Sequence, residues 1–526
     1  MLRILGSRRT LCDGLSRREM LRIGGLGGAL TLADLWRRQA ASGTGVASAA
    51  GERSQPAGAG ATSASFGRAK RIILLYLYGA AAQHELYDPK PDAPAEIRGK
   101  FNPIATAVPG VQIGEHLPRL ARLADRVTFI RSMTHPYNIH SAAYTLTGVD
   151  RVDIPMELDP YDNRHWPFFG SVLEYLARGR ESFPFNVALP FLFSSRCPEF
   201  DRGGPYGGFL GRRFNPVWTE FEPEGSSVVK RWRGNADQEI RDPFAGISPD
   251  DRLTVSRDAR LAPEITLDRL DRRRSLLEQL EDERRRLEST SRLPRGTAAI
   301  DSALASRSRP AGGTYDRFQE MAYSLITSQA LRDALDLGRV PIEHRERYGM
   351  TLFGQSTLAG LRLLEAGATL VSVFWDEYGP ANSAWDTHFD HYERLSQELL
   401  PGLDMALSAL IVDLQERGMF DDTLILCLTE HGRTPKLTES ARGTGREHWS
   451  DVYSNLVAGG GFARGRVVGA SDRNGAFVEH DPVSPKDVLC TMYHLMGIDP
   501  HTMIPDRLGR PLPLVSEGRV LEQLLA

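Results

Sequence analysis

Along the chain, continuous apolar runs alternate with stretches of helical periodicity. Arg71–Tyr78 (RIILLYLY), Val127–Arg131, Ala368–Trp375 (ATLVSVFW) and Thr423–Leu428 (TLILCL) lack an in-and-out alternation, which predicts strands buried on both faces. Asn455–Ala458 is a shorter candidate of the same kind. Leu403, Leu407, Leu410, Ile411 and Leu414 recur at helical spacing within Pro401–Arg417. Val488, Met492 and Leu495 do so within Ser484–Met496, which opens on the start signal Ser-Pro-Lys-Asp. Strands alternating with helices predict a three-layer α/β/α fold around a central, mostly parallel sheet. Ligands of such sheets gather at the carboxyl ends of the strands. The residues just after each strand are therefore where chemistry is sought.

The pattern breaks in two places. Residues 190–260 are rich in Pro, Gly, Arg and aromatics, which predicts an irregular insertion placed as a cap. It extends to about residue 312 through a charged amphipathic helix over 264–289 and a loose connector over 293–312. One domain is expected over 69–515, closed by a short helix over 516–526.

Composition narrows the class. The 526 residues are 41% hydrophobic and 25% charged, an ordinary globular balance. The net charge is −3, and the first 49 residues hold eight Arg against three acids, so the body is more acidic still. That excludes a general nucleic-acid binder, which needs a basic face. The four Cys, at 12, 197, 427 and 490, make neither a disulfide framework nor a zinc spacing. Arg17-Arg18, a short Gly-rich apolar stretch over 23–35 and Ala47-Ser48-Ala49 read as an export signal over 1–49, followed by a linker over 50–68. The paired Arg resembles a twin-arginine signal, whose partner is the twin-arginine export machinery. The apolar stretch is too short to span a bilayer, so an exported protein, periplasmic or at the cell surface, is expected.

Metal-capable side chains collect behind the predicted strands. His84, Glu85 and Asp88 follow the first; Asn138 and Ser141 follow the second, where a helix should begin. Asp386, His388 and His391 follow the third, and Glu430 and His431 the fourth, with His448 seventeen residues on. Five of the chain's 13 His stand in these positions. Imidazole with carboxylate suits a divalent metal of the zinc, manganese or iron kind. Ser141 is either a nucleophile or a helix cap.

The motifs His-Glu-x-x-Asp-Pro-Lys-Pro, Asn-x-His-Ser-Ala, Trp-Asp-Thr-His and Glu-His-Gly-Arg-Thr-Pro-Lys, with the paired-Arg start, resemble the exported bacterial family called domain of unknown function 1501. That family is similar to the sulfatase and alkaline-phosphatase superfamily. The resemblance implies an alkaline-phosphatase-like sheet and one or two divalent ions, of zinc, calcium, magnesium or manganese. Asp386, His388 or His391, and His448 match one ion's ligands. Asp88 or Glu85, with Glu430 and His431, match the other's. His84 stands with them as a further donor. The place of the sulfatase nucleophile, counted back from Thr147-Gly148, is held by Asn138, which is no nucleophile, with Ser141 three residues on. His135 or His140 would protonate a leaving group, and Arg131 or Arg433 would clamp ester oxygens. The implied activity is metal-dependent hydrolysis of sulfate or phosphate esters, on a small molecule or a sulfated polysaccharide. Two other readings remain open. One is a noncatalytic protein of this fold that binds carbohydrate or a cell-surface partner. The other is a metal-free serine hydrolase using Ser141.

Overall fold

Arg71–Leu77 (β1) lies at the centre of the molecule, every residue after Arg71 being buried. A computed structural model describes residues 65–149, 158–162, 164–177, 183–197, 202–233, 236–255 and 328–526, all within one unit, Thr62–Ala526. The expected signal, most of the linker, the charged helix and the loose connector lie outside the described residues.

The remaining strands of the main sheet are Val127–Met133 (β2), Asn186–Leu189 (β3), Val217–Glu222 (β4), Arg252–Val255 (β5), Leu370–Trp375 (β6), Thr423–Leu428 (β7), Tyr453–Ala458 (β8) and Arg466–Val468 (β9). Their order is β9-β2-β8-β7-β1-β6-β3-β4-β5. β1 runs parallel to both β6 and β7. β6–β3, β3–β4 and β9–β2 are also parallel, so the sheet is mostly parallel, as expected. β8 is fully buried but antiparallel to both β7 and β2. The reason is connectivity: no crossover helix returns the chain after β7, so the next strand must start from the same rim and run back.

Alternate residues of β1 face opposite layers. Ile73 packs with Val371 and Val373 against Gly360 of helix Leu352–Ala366. Tyr76 turns the other way, its hydroxyl bonded to Thr145 (2.6 Å) of helix Ala142–Thr147. The periodic stretch near 401–417 is the helix Leu400–Glu416, which buries Leu403, Leu407, Leu410, Ile411 and Leu414 against Leu352–Ala366. Together with the turns before it, His391–Glu416 is long and apolar enough to cross a membrane, yet 67% of its most apolar window is buried inside the fold. It is a core helix. The helix Pro485–Leu495 starts on Ser484, whose side chain and that of Asp487 cap each other's backbone.

Two expectations need correction. The segment taken as irregular carries β4 and β5, which extend the main sheet, and a long hairpin, Ser226–Arg233 with Ala236–Ile247. Its Pro and Arg content masked alternating positions such as Thr219 and Phe221, which are buried while their neighbours are not. The chain end is not an α-helix but one tight turn, Glu522–Leu524. Its backbone is drawn into docking instead: Leu521 donates to Thr491 (3.0 Å), Arg519 to Asp487 (3.0 Å), and Leu525 bridges to Phe462.

Candidate metal centre at the strand ends

The rim above β1, β6 and β7 is built by sharp turns. Gly79 leaves β1 at φ +103°, and a Cβ there would stand 2.5 Å from the backbone nitrogen of Asp386. Ala80 follows at φ +70°, a left-handed conformation that costs a non-Gly residue energy and marks functional loops. This close approach brings the Asp386 loop onto the end of β1. Arg433, fully buried, locks it: its guanidinium donates to Ala80 O (3.0 Å), Arg446 O (3.1 Å), Gly79 O and the Asp386 carboxylate. The expected clamp on a substrate is thereby corrected. Each of its three nitrogens already serves an acceptor within the fold.

Around Asp386 stand four imidazoles. His388 Nε2 lies 3.1 Å from Asp386 Oδ1, His140 Nε2 3.5 Å and His448 Nε2 3.6 Å. His388 and His448 face each other Nε2 to Nε2 at 3.0 Å. The His431 ring stacks on His140, centroids 5.0 Å apart, and lies 4.8 Å from His448. His140, His431 and His448 thus form one donor triad, and Asp386, His388 and His448 a second.

The other ring nitrogens explain why these Nε2 atoms converge. His140 Nδ1 lies 2.7 Å from Glu430 Oε1, His431 Nδ1 2.9 Å from Gly432 O, and His388 Nδ1 against the Glu447 carboxylate. Acceptors on three Nδ1 atoms fix the proton there and leave the Nε2 lone pairs turned inward. His431 is fully buried, and its Nε2 has no hydrogen-bond partner. An unprotonated imidazole nitrogen buried without a donor is what a cation site requires. The donor set, nitrogen with one carboxylate, fits zinc or manganese.

Charge in the hollow follows. Burial alone would raise Asp386, but Arg433 and the three imidazoles hold it well below the usual carboxylate range. Burial opposes charge on His140 too, and Asp386 and Glu430 outweigh it, lifting His140 to about 9. Burial and the neighbouring positive groups push His431 far down.

Other predicted residues fall elsewhere. Glu430 is fully buried and spends Oε1 on Gly79 N (2.6 Å) and His140, so it orients a ligand rather than standing with the triads. His140, expected as an acid, takes the inward position. Glu85 pairs with Arg446 (2.6 Å) and faces His391 (3.5 Å), whose Nδ1 meets Thr387 (2.8 Å). That buried group holds the loops together and is separate from the triads. His84 bonds Asn474 O (2.9 Å), and Asp88 meets Lys90 (3.0 Å) and Ser471. The Asp-Pro turn after β1 carries these side chains away from the imidazoles. Ser141 caps its helix, accepting from Tyr144 N (3.3 Å). Asn138 is exposed and donates to His448 O (3.1 Å). Both nitrogens of His135 are engaged, with Tyr137 N and with Glu430 O (2.6 Å). Glu447, which fixes His388, escaped sequence reasoning; its place beside His448 was the available signal.

The fold and the strand-end cluster define an α/β protein with a histidine-rich group of side chains whose donor atoms could hold a metal ion. The chain belongs to the family described as protein of unknown function (DUF1501), whose profile matches residues 69–525. No curated protein matches it. Among solved structures it is similar to Ps i-CgsB in complex with k-i-k-neocarrahexaose, at 12% identity and TM-score 0.34, over 82% of this chain and 72% of that one. It is similar to the PsFucS1 sulfatase from Pseudoalteromonas sp., at 11% and 0.33, over 82% and 68%. It is also similar to the phosphonate monoester hydrolase SpPMH from Silicibacter pomeroyi, at 14% and 0.30, over 86% and 76%.

Proposed function

We propose that this protein is a metal-dependent hydrolase of phosphate or sulfate esters. The observation that carries the reading is the convergence of donor atoms of His140, His431 and His448, with His140, His388 and His448 also beside Asp386. A divalent ion held there supplies a Lewis acid for an ester oxygen and brings the pKa of water toward neutral. The chain's own groups do the rest. Glu430 and Glu447 keep the His140 and His388 rings in register, and Arg433 holds Asp386 against the end of β1. A carbohydrate-borne ester is the expected substrate class, and the Arg17-Arg18 segment supports export.

A noncatalytic binding role is favoured by one observation: Ser141 is a cap and Asn138 a strut, so neither is poised as a nucleophile. Both rings that would activate Ser141 in a metal-free hydrolase are committed to Glu430 and its neighbours, which disfavours that third reading. The test is hydrolysis of nitrophenyl phosphate and nitrophenyl sulfate by zinc- and manganese-loaded protein, before and after chelation. The proposal expects turnover of at least one ester that chelation abolishes. Metal binding without turnover of either ester would favour the noncatalytic role.

A further inference from the structure

Tyr78 and Glu377 stand at the ends of two adjacent strands. Tyr78 follows β1, and its backbone N–H donates to Trp375 O (3.2 Å), the last residue of β6. Glu377 lies two residues beyond. The Tyr78 ring packs edge-on against Phe193 (5.2 Å) and lies 5.6 Å from the His140 ring, with the Arg202 guanidinium 5.8 Å from it. Tyr78 is 1% exposed, yet its hydroxyl has no hydrogen-bond partner. Glu377 Oε2 is likewise buried without one. The neighbouring Asp376 is satisfied, accepting from Ser194 N (2.7 Å) and Glu377 N (2.8 Å). Each unmet buried polar group costs about 1–3 kcal/mol, and native structures leave few of them. The two belong to the ends of adjacent strands, and Tyr78 borders the imidazole cluster through His140.

The chemistry of the missing partner can be read from the surroundings. Asp376, Glu377 and Glu430 all act on the Tyr78 hydroxyl, against the single Arg202. A phenol and a carboxyl at neighbouring strand ends, both lacking a partner, suit a neutral hydroxyl, which donates to the carboxyl oxygen and accepts from the phenol. We propose that Tyr78 and Glu377 form a subsite for a hydroxyl group adjacent to the ester of the ligand held at the imidazole cluster. This rests on the ester-hydrolase reading and extends it, because the subsite would select polyol esters over esters of plain alcohols. A site built to bond a hydroxyl rejects the analogue that lacks it strongly, since its own groups are then left unpaired.

The test uses the zinc-loaded full chain and three probes that cannot be hydrolysed: inorganic phosphate, propylphosphonate and dihydroxypropylphosphonate. Calorimetry should show dihydroxypropylphosphonate binding at least about tenfold more tightly than propylphosphonate. Tyr78→Phe, which keeps the ring, and Glu377→Gln should each bring that ratio toward one. Equal affinities in the unaltered protein, or a preference that survives both substitutions, would overturn the subsite. Absence of any phosphate binding by the metal-loaded protein would strike the ester-hydrolase reading, and the subsite with it.

Discussion

At the scale of single residues, the site is a problem in tautomers. Each inward Nε2 is set by what its Nδ1 meets, so the orienting groups matter nearly as much as the donors. Glu430→Ala should lower zinc affinity by about 10- to 100-fold, measured by competition with a chromophoric chelator. A wild-type affinity in that variant would show that His140 needs no such support. The separate Glu85 group makes a prediction about pH. Burial alone would raise the Glu85 carboxyl, but the Arg446 guanidinium, helped by the His391 and His84 rings, holds it well below its usual 4.5. A depressed folded pKa stabilises above the unfolded value and is lost as pH falls below it. Unfolding free energy should therefore drop below about pH 4.5, and Glu85→Gln should flatten that acid limb. Gln there leaves Arg446 buried without its counter-charge, a loss of about 3–5 kcal/mol at neutral pH, read by denaturant titration. An acid limb as steep in Glu85→Gln as in the unaltered protein would contradict the assignment.

Sequence could say that His84, Glu85 and His391 follow strands, but not that their loops fold behind the rim. That depends on Arg446, far along the chain, which claims Glu85. It could say that Ser141 begins a helix, and the capping alternative it left open matches the bond to Tyr144 N. That Asp386, His388, His431 and His448 follow β6 and β7 could be read from the sequence; what draws them together, the approach of Gly79 to Asp386 and the pairing of Arg433 with His448, could not.

At the scale of elements, legibility followed burial. β1, β6 and β7 lie at the centre of a parallel sheet and read as unbroken apolar runs. Strands away from the centre such as β4, with one face half exposed, did not stand out among Pro and Arg. The direction of β8 was hidden because composition is blind to connectivity. The helix Pro485–Leu495 was announced by its start signal, and the reciprocal cap of Ser484 and Asp487 gives that signal its energy. Ser484→Ala should cost about 1 kcal/mol in unfolding free energy, with zinc binding unchanged because the helix lies outside the triads. No measurable loss would mean that the cap contributes nothing here.

At the scale of the molecule, β1, β6 and β7 deliver their following residues to one rim, and the long core helix His391–Glu416 springs from the loop that carries Asp386 and His388. The centre sits on strand-end loops pinned to one another by Arg433 and by the pairing of Arg433 with His448, which favours a preorganised cation site. The most direct test is elemental analysis and zinc titration of the purified chain beside a His388→Ala, His448→Ala double variant, both side chains being partly exposed. The account predicts at least one tightly held divalent ion per chain, lost in the double variant while circular dichroism stays unchanged. A chain that binds no divalent ion more tightly than its double variant would contradict it.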